Sequence, residues 1–171
     1  MYKRQDLELP INGVIWDIGA GCGSIGLEAL KLRPNLDLFC IDKRLGSKAL
    51  ILENSKRLGV KPKFICEKDI NNILNTKNLS PLEKPNRLVI GGCDKKTKLE
   101  IINTLAQVMK IGDIIVIPII DIQTIKELKE ELYDKNFKTN LNLIQTYKSL
   151  SIAEGMRLEP NNPIFVLKGK K

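Results

Sequence analysis

A chain of 171 residues, 43% hydrophobic and 28% charged, is expected to fold as one domain over 1–171 that buries roughly two thirds of its unfolded surface. No segment reaches the roughly 18 to 20 uninterrupted apolar residues that span a bilayer, and residues 1–6 are polar, so a soluble cytoplasmic protein with no membrane attachment is expected. The absence of histidine and the wide spacing of the four cysteines argue against any metal site and exclude Ser-His and Cys-His dyads, while the net charge of +8 comes from scattered lysines, without the Arg-aromatic interleaving of a nucleic-acid reader.

The predicted elements alternate between strand and helix. A strand over 13–18 leads to a helix over 24–32, a strand over 36–41 to a helix over 45–58 stopped by Gly59, and a strand over 63–66 to a short helix over 70–74. A polar loop through Pro81 and Pro85 precedes a strand over 87–90, and Gly91-Gly92 lead into a helix over 97–109. The continuous apolar run 114–117 reads as a central parallel strand ended by Pro118, and a helix over 122–133 follows. Two longer β runs, 140–149 and 164–168, are joined by an irregular connector over 152–163, and the Gly-Lys-Lys tail is expected to fray. The fold class is α/β: a Rossmann-like, mostly parallel seven-stranded sheet with helices on both faces and an antiparallel C-terminal hairpin.

Two signals in this pattern carry chemistry. The first strand ends in Asp17-Ile18-Gly19-Ala20-Gly21-Cys22-Gly23, where residues without Cβ permit positive φ and close approach of backbone N–H groups to a ligand before a helix begins at Ser24. Its G-x-G-x-G spacing is neither the dinucleotide fingerprint nor the phosphate loop ending in Gly-Lys-Ser/Thr. The second strand ends at Asp42, nineteen residues after Gly23, where a carboxylate beside the glycine loop can accept two ribose hydroxyls. Together they point to an adenosine-type ligand, and Glu67-Lys68-Asp69 closes the third strand in the same way.

This order of motifs resembles the class I S-adenosylmethionine-dependent methyltransferases. Within them, the string from Trp16 to Ala29, the Ile90-Gly91-Gly92 turn and the segment Leu158-Glu159-Pro160-Asn161-Asn162-Pro163-Ile164-Phe165 resemble the precorrin-6Y C-methyltransferases (decarboxylating) of cobalamin biosynthesis. The resemblance covers about residues 14–169. It implies S-adenosyl-L-methionine as cofactor and a reduced tetrapyrrole as small-molecule substrate, with an acetate carboxyl lost as carbon dioxide. Family members occur alone or as the C-terminal half of a larger enzyme and often assemble as tetramers, which leaves a homo-oligomer open. Departures are the short segment before the first strand, Pro118-Ile119 where the family commonly has Asn-Ala, and Cys93-Asp94 after the glycine pair.

On this reading Asp17, Gly19, Ala20, Gly21, Gly23, Asp42, Lys43, Asp69, Ile70 and Gly91 hold the cofactor. Gly92, Lys95, Arg157 and Asn161 meet the substrate, Arg157 because a guanidinium can hold a carboxylate bidentately; no catalytic side chain is assigned. Alternatives stand beside several of these. Asp17 either orients the loop or touches the methionine amino group, Asp42 also suits a cap of the second helix, and Asp69 either accepts from adenine or caps the short helix. Lys95, Lys96 and Lys98 either pair with substrate carboxylates or line a solvated helix start. Trp16, Cys22 and Cys93 are read as packing residues. Two other functions remain in view: a tRNA or rRNA base methyltransferase, disfavoured by Gly91-Gly92-Cys93-Asp94 standing where a Pro-Pro-aromatic motif belongs, and a non-catalytic cofactor-binding fragment.

Overall fold

The computed structural model describes residues 5–74 and 83–171; Pro81 and residues 1–4 of the polar start lie outside them. The elements are β1 (Gly13–Ile18), α1 (Ser24–Leu32), β2 (Leu36–Ile41), α2 (Ser47–Leu58), β3 (Phe64–Cys66), α3 (Ile70–Leu74), β4 (Arg87–Ile90), α4 (Lys95–Leu105), β5 (Ile114–Ile119), α5 (Gln123–Asp134), β6 (Lys138–Ile144), β7 (Tyr147–Ile152), β8 (Gly155–Pro160) and β9 (Ile164–Lys170). A seven-stranded sheet runs β3-β2-β1-β4-β5-β9-β6, and β7 and β8 form a separate two-stranded ribbon. From β3 to β5 all neighbours are parallel, whereas β9 is antiparallel to both β5 and β6. Among the described residues no helix is long and apolar enough to cross a membrane.

The run 114–117, expected as a central strand, is fully buried, and β1, β2 and β4 are mainly so, as parallel strands covered by helices must be. Alternate residues of β1 serve opposite faces. Trp16 and Ile18 join Leu88, Ile90 and Ile117 under α4 and α5, while Ile15 joins Leu38 and Cys40 under α1 and α2. Trp16 stacks on Phe39 of β2, ring centroids 5.9 Å apart, and its indole N–H donates to the Glu83 carbonyl at 3.0 Å. The packing role expected of Trp16 is the one it has.

Beneath the sheet, the segment before β1 is tied down by Arg87. Its guanidinium donates to the Leu7 carbonyl at 2.6 Å and the Glu8 carbonyl at 3.1 Å, so Leu7 is fully buried against Val89, Val116 and Val166. Burying such a side chain is worth about 1.5–3 kcal/mol. Glu8 in turn accepts from Lys168 at 2.5 Å and Lys170 at 2.8 Å, which fastens this segment to β9.

Several expected boundaries move, each for a local reason. The second helix starts at Ser47 rather than Leu45, because Gly46 turns the chain at φ 85° and leaves Leu45 exposed. The fourth helix starts at Lys95, where the Asp94 carboxylate caps the Thr97 N–H at 2.9 Å, and it ends at Leu105. Pro118 does not stop β5. The pairing with β4 ends at Val116, and Pro118 continues opposite Val166 of β9 with a strand on one side only.

The run expected as one strand over 140–149 is two, β6 and β7, and the expected irregular connector contains β8, paired with β7 from Tyr147↔Pro160 to Ile152↔Gly155. The tail is anchored rather than frayed. Lys171 exchanges backbone hydrogen bonds with Gly112 and Asp113, and its ammonium donates to the Ala106 carbonyl at 2.7 Å.

Candidate active site

The order of strands reverses between β1 and β4, and it is outside the carboxyl ends of strands at such a point that open α/β sheets bind ligands. Here the chain leaves β1 through Gly19, Gly21 and Gly23, with φ of 69°, 64° and 77°, values a side chain would oppose. The Gly19 and Ala20 N–H groups both donate to the Ile41 carbonyl, at 2.8 and 3.2 Å, so the glycine turn is sewn to the end of β2. Gly19 also abuts the exit from β4. A Cβ on Gly19 would lie 2.7 Å from the Gly92 nitrogen, and one on Gly91 would lie 2.8 Å from the Gly19 carbonyl oxygen. Gly91 therefore lacks a side chain because two turns meet there, whereas a Cβ on Gly92 would meet nothing within 4 Å.

Around this junction lies a crevice of about 200 Å³. Ile18, Ile41 and Ile70 supply its apolar wall; Gly19, Gly92, Cys93 and Thr97 supply the side toward β4; and Asp42, Lys43, Arg44, Lys68 and Asp69 supply the polar rim. Of the predicted cofactor residues, Gly19, Asp42, Lys43, Asp69 and Ile70 thus line one cavity, together with Gly92 from the predicted substrate set.

Asp42 is only 3% exposed, yet four donors converge on it. One oxygen accepts from the Arg44 backbone N–H at 2.9 Å and Arg44 Nε at 3.1 Å, and the other from the Gly21 N–H at 2.6 Å and Arg44 Nη2 at 3.0 Å. Burial by itself raises the pKa of this carboxyl, but the Arg44 guanidinium and the two backbone N–H groups outweigh it and hold the group below the ordinary carboxylate value. Asp42 does not cap α2. That position is served by Glu67, which accepts from the Lys48 N–H at 3.0 Å; the Glu67-Lys68-Asp69 segment showed where the strand ended but not that it would reach across to the helix.

Asp17 lies beneath the turn, 2% exposed, with one oxygen accepting from the Gly26 N–H of α1 at 2.9 Å. That bond ties the turn to α1, where Gly23 at the helix start offers no side-chain cap. Gly26 is part of the same arrangement: a Cβ there would come within 3.0 Å of the Asp17 carboxylate and 2.7 Å of Leu38. Asp69 caps the start of α3 through the Asn71 N–H at 3.0 Å and faces Lys43 at 3.7 Å.

Apart from Gly92, the expected substrate residues are not gathered at the crevice. Lys95 pairs with Glu127 of α5 at 2.9 Å, Arg157 is exposed on the β7–β8 ribbon, and Asn161 donates to Thr146 Oγ1 at 2.9 Å beside that ribbon. None of the three lines the cavity. Lys98 donates to the carbonyl of Cys93, a lining residue, and burial lowers its pKa. Burial pushes the Cys93 thiol up, away from thiolate chemistry. Arg44, Thr97 and Lys68 were not singled out from sequence; the only signal for Arg44 was a cation two residues after the predicted ribose acid.

A sheet ordered β3-β2-β1-β4-β5-β9-β6 with β9 antiparallel, a glycine turn after β1 and a buried carboxylate after β2, is the arrangement of a class I methyltransferase. The particular family follows from comparison with known proteins: a model of the precorrin methyltransferase domain matches residues 6–171, and the chain belongs to that family. A Methanosarcina mazei protein named "Probable cobalt-precorrin-6B C(15)-methyltransferase (decarboxylating)" is 26% identical over 156 residues, 91% of this chain and 81% of its own. A Sulfolobus acidocaldarius protein of the same name is 23% identical over 156 residues, 91% of this chain and 78% of its own. The crystal structure of precorrin-6y C5,15-methyltransferase from Geobacter metallireducens superposes with a TM-score of 0.84 at 25% identity, covering 99% of this chain and 87% of that one. The chain is a methyltransferase of this family, and both its fold class and the resemblance read from its motifs stand.

Proposed function

We propose that the protein transfers a methyl group from S-adenosyl-L-methionine to a ring carbon of a precorrin and couples this to loss of an acetate carboxyl as carbon dioxide. Membership in the family and the names of the similar archaeal proteins support the reaction. The observation that carries the cofactor assignment is a nearly buried Asp42 carboxylate lining the same crevice as Gly19 and Gly92. The residues present fit that cofactor: an acceptor pair for the ribose diol, an apolar wall of Ile18, Ile41 and Ile70 for the adenine, and the Asp69 carboxylate at the rim for its amino group.

The cofactor, when bound, supplies an activated methyl on a sulfonium. What remains for the chain is to hold two reactants in line and exclude water, which can account for most of the barrier reduction. Gly19 lines the crevice without a side chain, the Gly21 N–H holds the Asp42 carboxylate and Ala20 and Gly23 complete the turn, with Asp17 fixing it from below and Lys43 at the rim. Gly91 keeps the β4 exit against the turn, and the open face of Gly92 leaves room for a flat macrocycle. Lys98, a cation beside Cys93, is placed to meet a substrate carboxylate. A nucleophilic enamine-like ring carbon requires no strong base, which suits a chain that has no histidine.

Calorimetry tests the assignment. S-adenosylhomocysteine is expected to bind in the micromolar range, and Asp42→Ala to weaken it at least about tenfold. Wild type that does not bind, or Asp42→Ala that binds equally well, overturns the cofactor reading. Incubation with a reduced precorrin and labelled cofactor is expected to give a methylated product lighter by carbon dioxide; label entering RNA instead overturns the substrate reading.

A further inference from the structure

We propose that Arg44 is a positioning residue that competes with the cofactor ribose for Asp42 and so sets how tightly the adenosyl group is held; this rests on the cofactor reading above. A carboxylate offers about four acceptor sites, and the geometry assigns all four. Two are taken by backbone N–H groups, of Gly21 at 2.6 Å and Arg44 at 2.9 Å, and two by the Arg44 side chain, at 3.1 and 3.0 Å. The backbone donors belong to the turns that build the crevice and cannot leave without dismantling it.

The two sites that a ribose diol can take are therefore those held by the guanidinium. Space leads to the same conclusion, since Arg44 Nη2 lies 2.7 Å from where a Cβ of Gly21 would stand. The guanidinium thus lies across the glycine turn, in the volume left by a missing side chain. Nor is it locked there: the Arg44 side chain is 68% exposed, and Asp42 is its one recorded ion-pair partner among the described residues.

Diol binding on this account exchanges two hydrogen bonds from a cation for two from neutral hydroxyls, and the guanidinium swings into solvent. The exchange lowers affinity for every ligand that carries the diol, the spent S-adenosylhomocysteine included, and favours its release after transfer. Ligands without the diol leave Arg44 in place and are unaffected.

The test is calorimetry on wild type, Arg44→Ala, Asp42→Ala and the double variant, with S-adenosylhomocysteine and its 2′,3′-dideoxy analogue, each variant first shown by thermal melting to be folded. Arg44→Ala is expected to bind S-adenosylhomocysteine about two- to fivefold more tightly, roughly what loss of one competing ion pair gives, and to bind the dideoxy analogue as wild type does. In the Asp42→Ala background the same change is expected to have no effect. If Arg44→Ala binds S-adenosylhomocysteine no more tightly than wild type, or tightens both ligands alike, the competition is overturned while the cofactor assignment survives. If wild type fails to bind, or Asp42→Ala binds normally, the cofactor reading itself fails and takes this inference with it.

Discussion

The two halves of this sheet are built to different tolerances. In the parallel half, β2, β1, β4 and β5 are mainly buried on both faces, with β3 half-buried at the edge, and exits touch backbone to backbone, as Gly19 and Gly91 do. In the antiparallel half, β9 is paired on both sides, but β6 is largely exposed, the β7–β8 ribbon almost wholly so, and the tie to the N-terminal segment is made by the side-chain tips of Glu8, Lys168 and Lys170. Close packing leaves no room to relax, whereas exposed ion pairs and ribbons yield to solvent at little cost. The crevice lies in the first half, where its geometry is held most firmly.

Substitutions can break that contrast. The largest loss is expected for Gly19→Ala, which meets a backbone nitrogen at 2.7 Å and forces a side chain into φ 69°. Left-handed strain and overpacking together predict about 3–4 kcal/mol of lost stability, measurable by urea denaturation. A loss under about 1 kcal/mol would mean that the two turns can separate and that the parallel half is softer than its packing implies.

A smaller effect is expected where β9 meets the N-terminal segment. Hydrogen bonds from Lys168 and then Lys170 hold the Glu8 carboxyl down to about 2 from its ordinary 4.5. A carboxyl depressed on folding contributes stability that is fully present above its unfolded value and is lost as pH falls through the folded one. Wild type is therefore expected to lose this contribution between about pH 4.5 and 2, and Glu8→Gln to be less stable near neutrality with a flatter acid limb. Because the Glu8 side chain is 44% exposed, solvent screening limits the difference to about 1 kcal/mol. Identical acid limbs in the two proteins would remove Glu8 from the tie.

The smallest effect is expected on the ribbon. Leu158→Ser, at a residue 70% exposed on β8, should change stability by no more than about 0.5 kcal/mol. A loss of 2 kcal/mol or more in thermal melts would show the ribbon packed against something in solution and narrow the contrast between the halves.

The same contrast governs what could be read from sequence. Strands β1, β2, β4 and β5 announce themselves because burial on both faces demands continuous apolar runs, and the glycine turn and Asp42 follow from where those runs end. The ribbon does not, because β8, Gly-Met-Arg-Leu-Glu-Pro, has no buried face to impose alternation. Arg157 was expected at the substrate through its likeness to a family segment, but position on a solvent-exposed strand is a tertiary matter that local composition does not encode.

Arg44 was missed for a related reason. It stands in the turn before α2, which begins only at Ser47 after Gly46 at φ 85°, whereas the sequence pattern extends that helix over Gly46. The reason for Gly91 was equally invisible, since a neighbour 72 positions earlier creates it.

Trp16 offers a practical consequence of these arrangements. It is the one tryptophan of the chain, 1% exposed, stacked on Phe39 and anchored through its ring nitrogen to the Glu83 carbonyl. Its emission should be blue-shifted in the native protein and move to longer wavelength only when the β1–β2 core opens to water. Unlabelled protein thus carries an optical gauge of the floor beneath the crevice, one that stays silent while the distant ribbon rearranges.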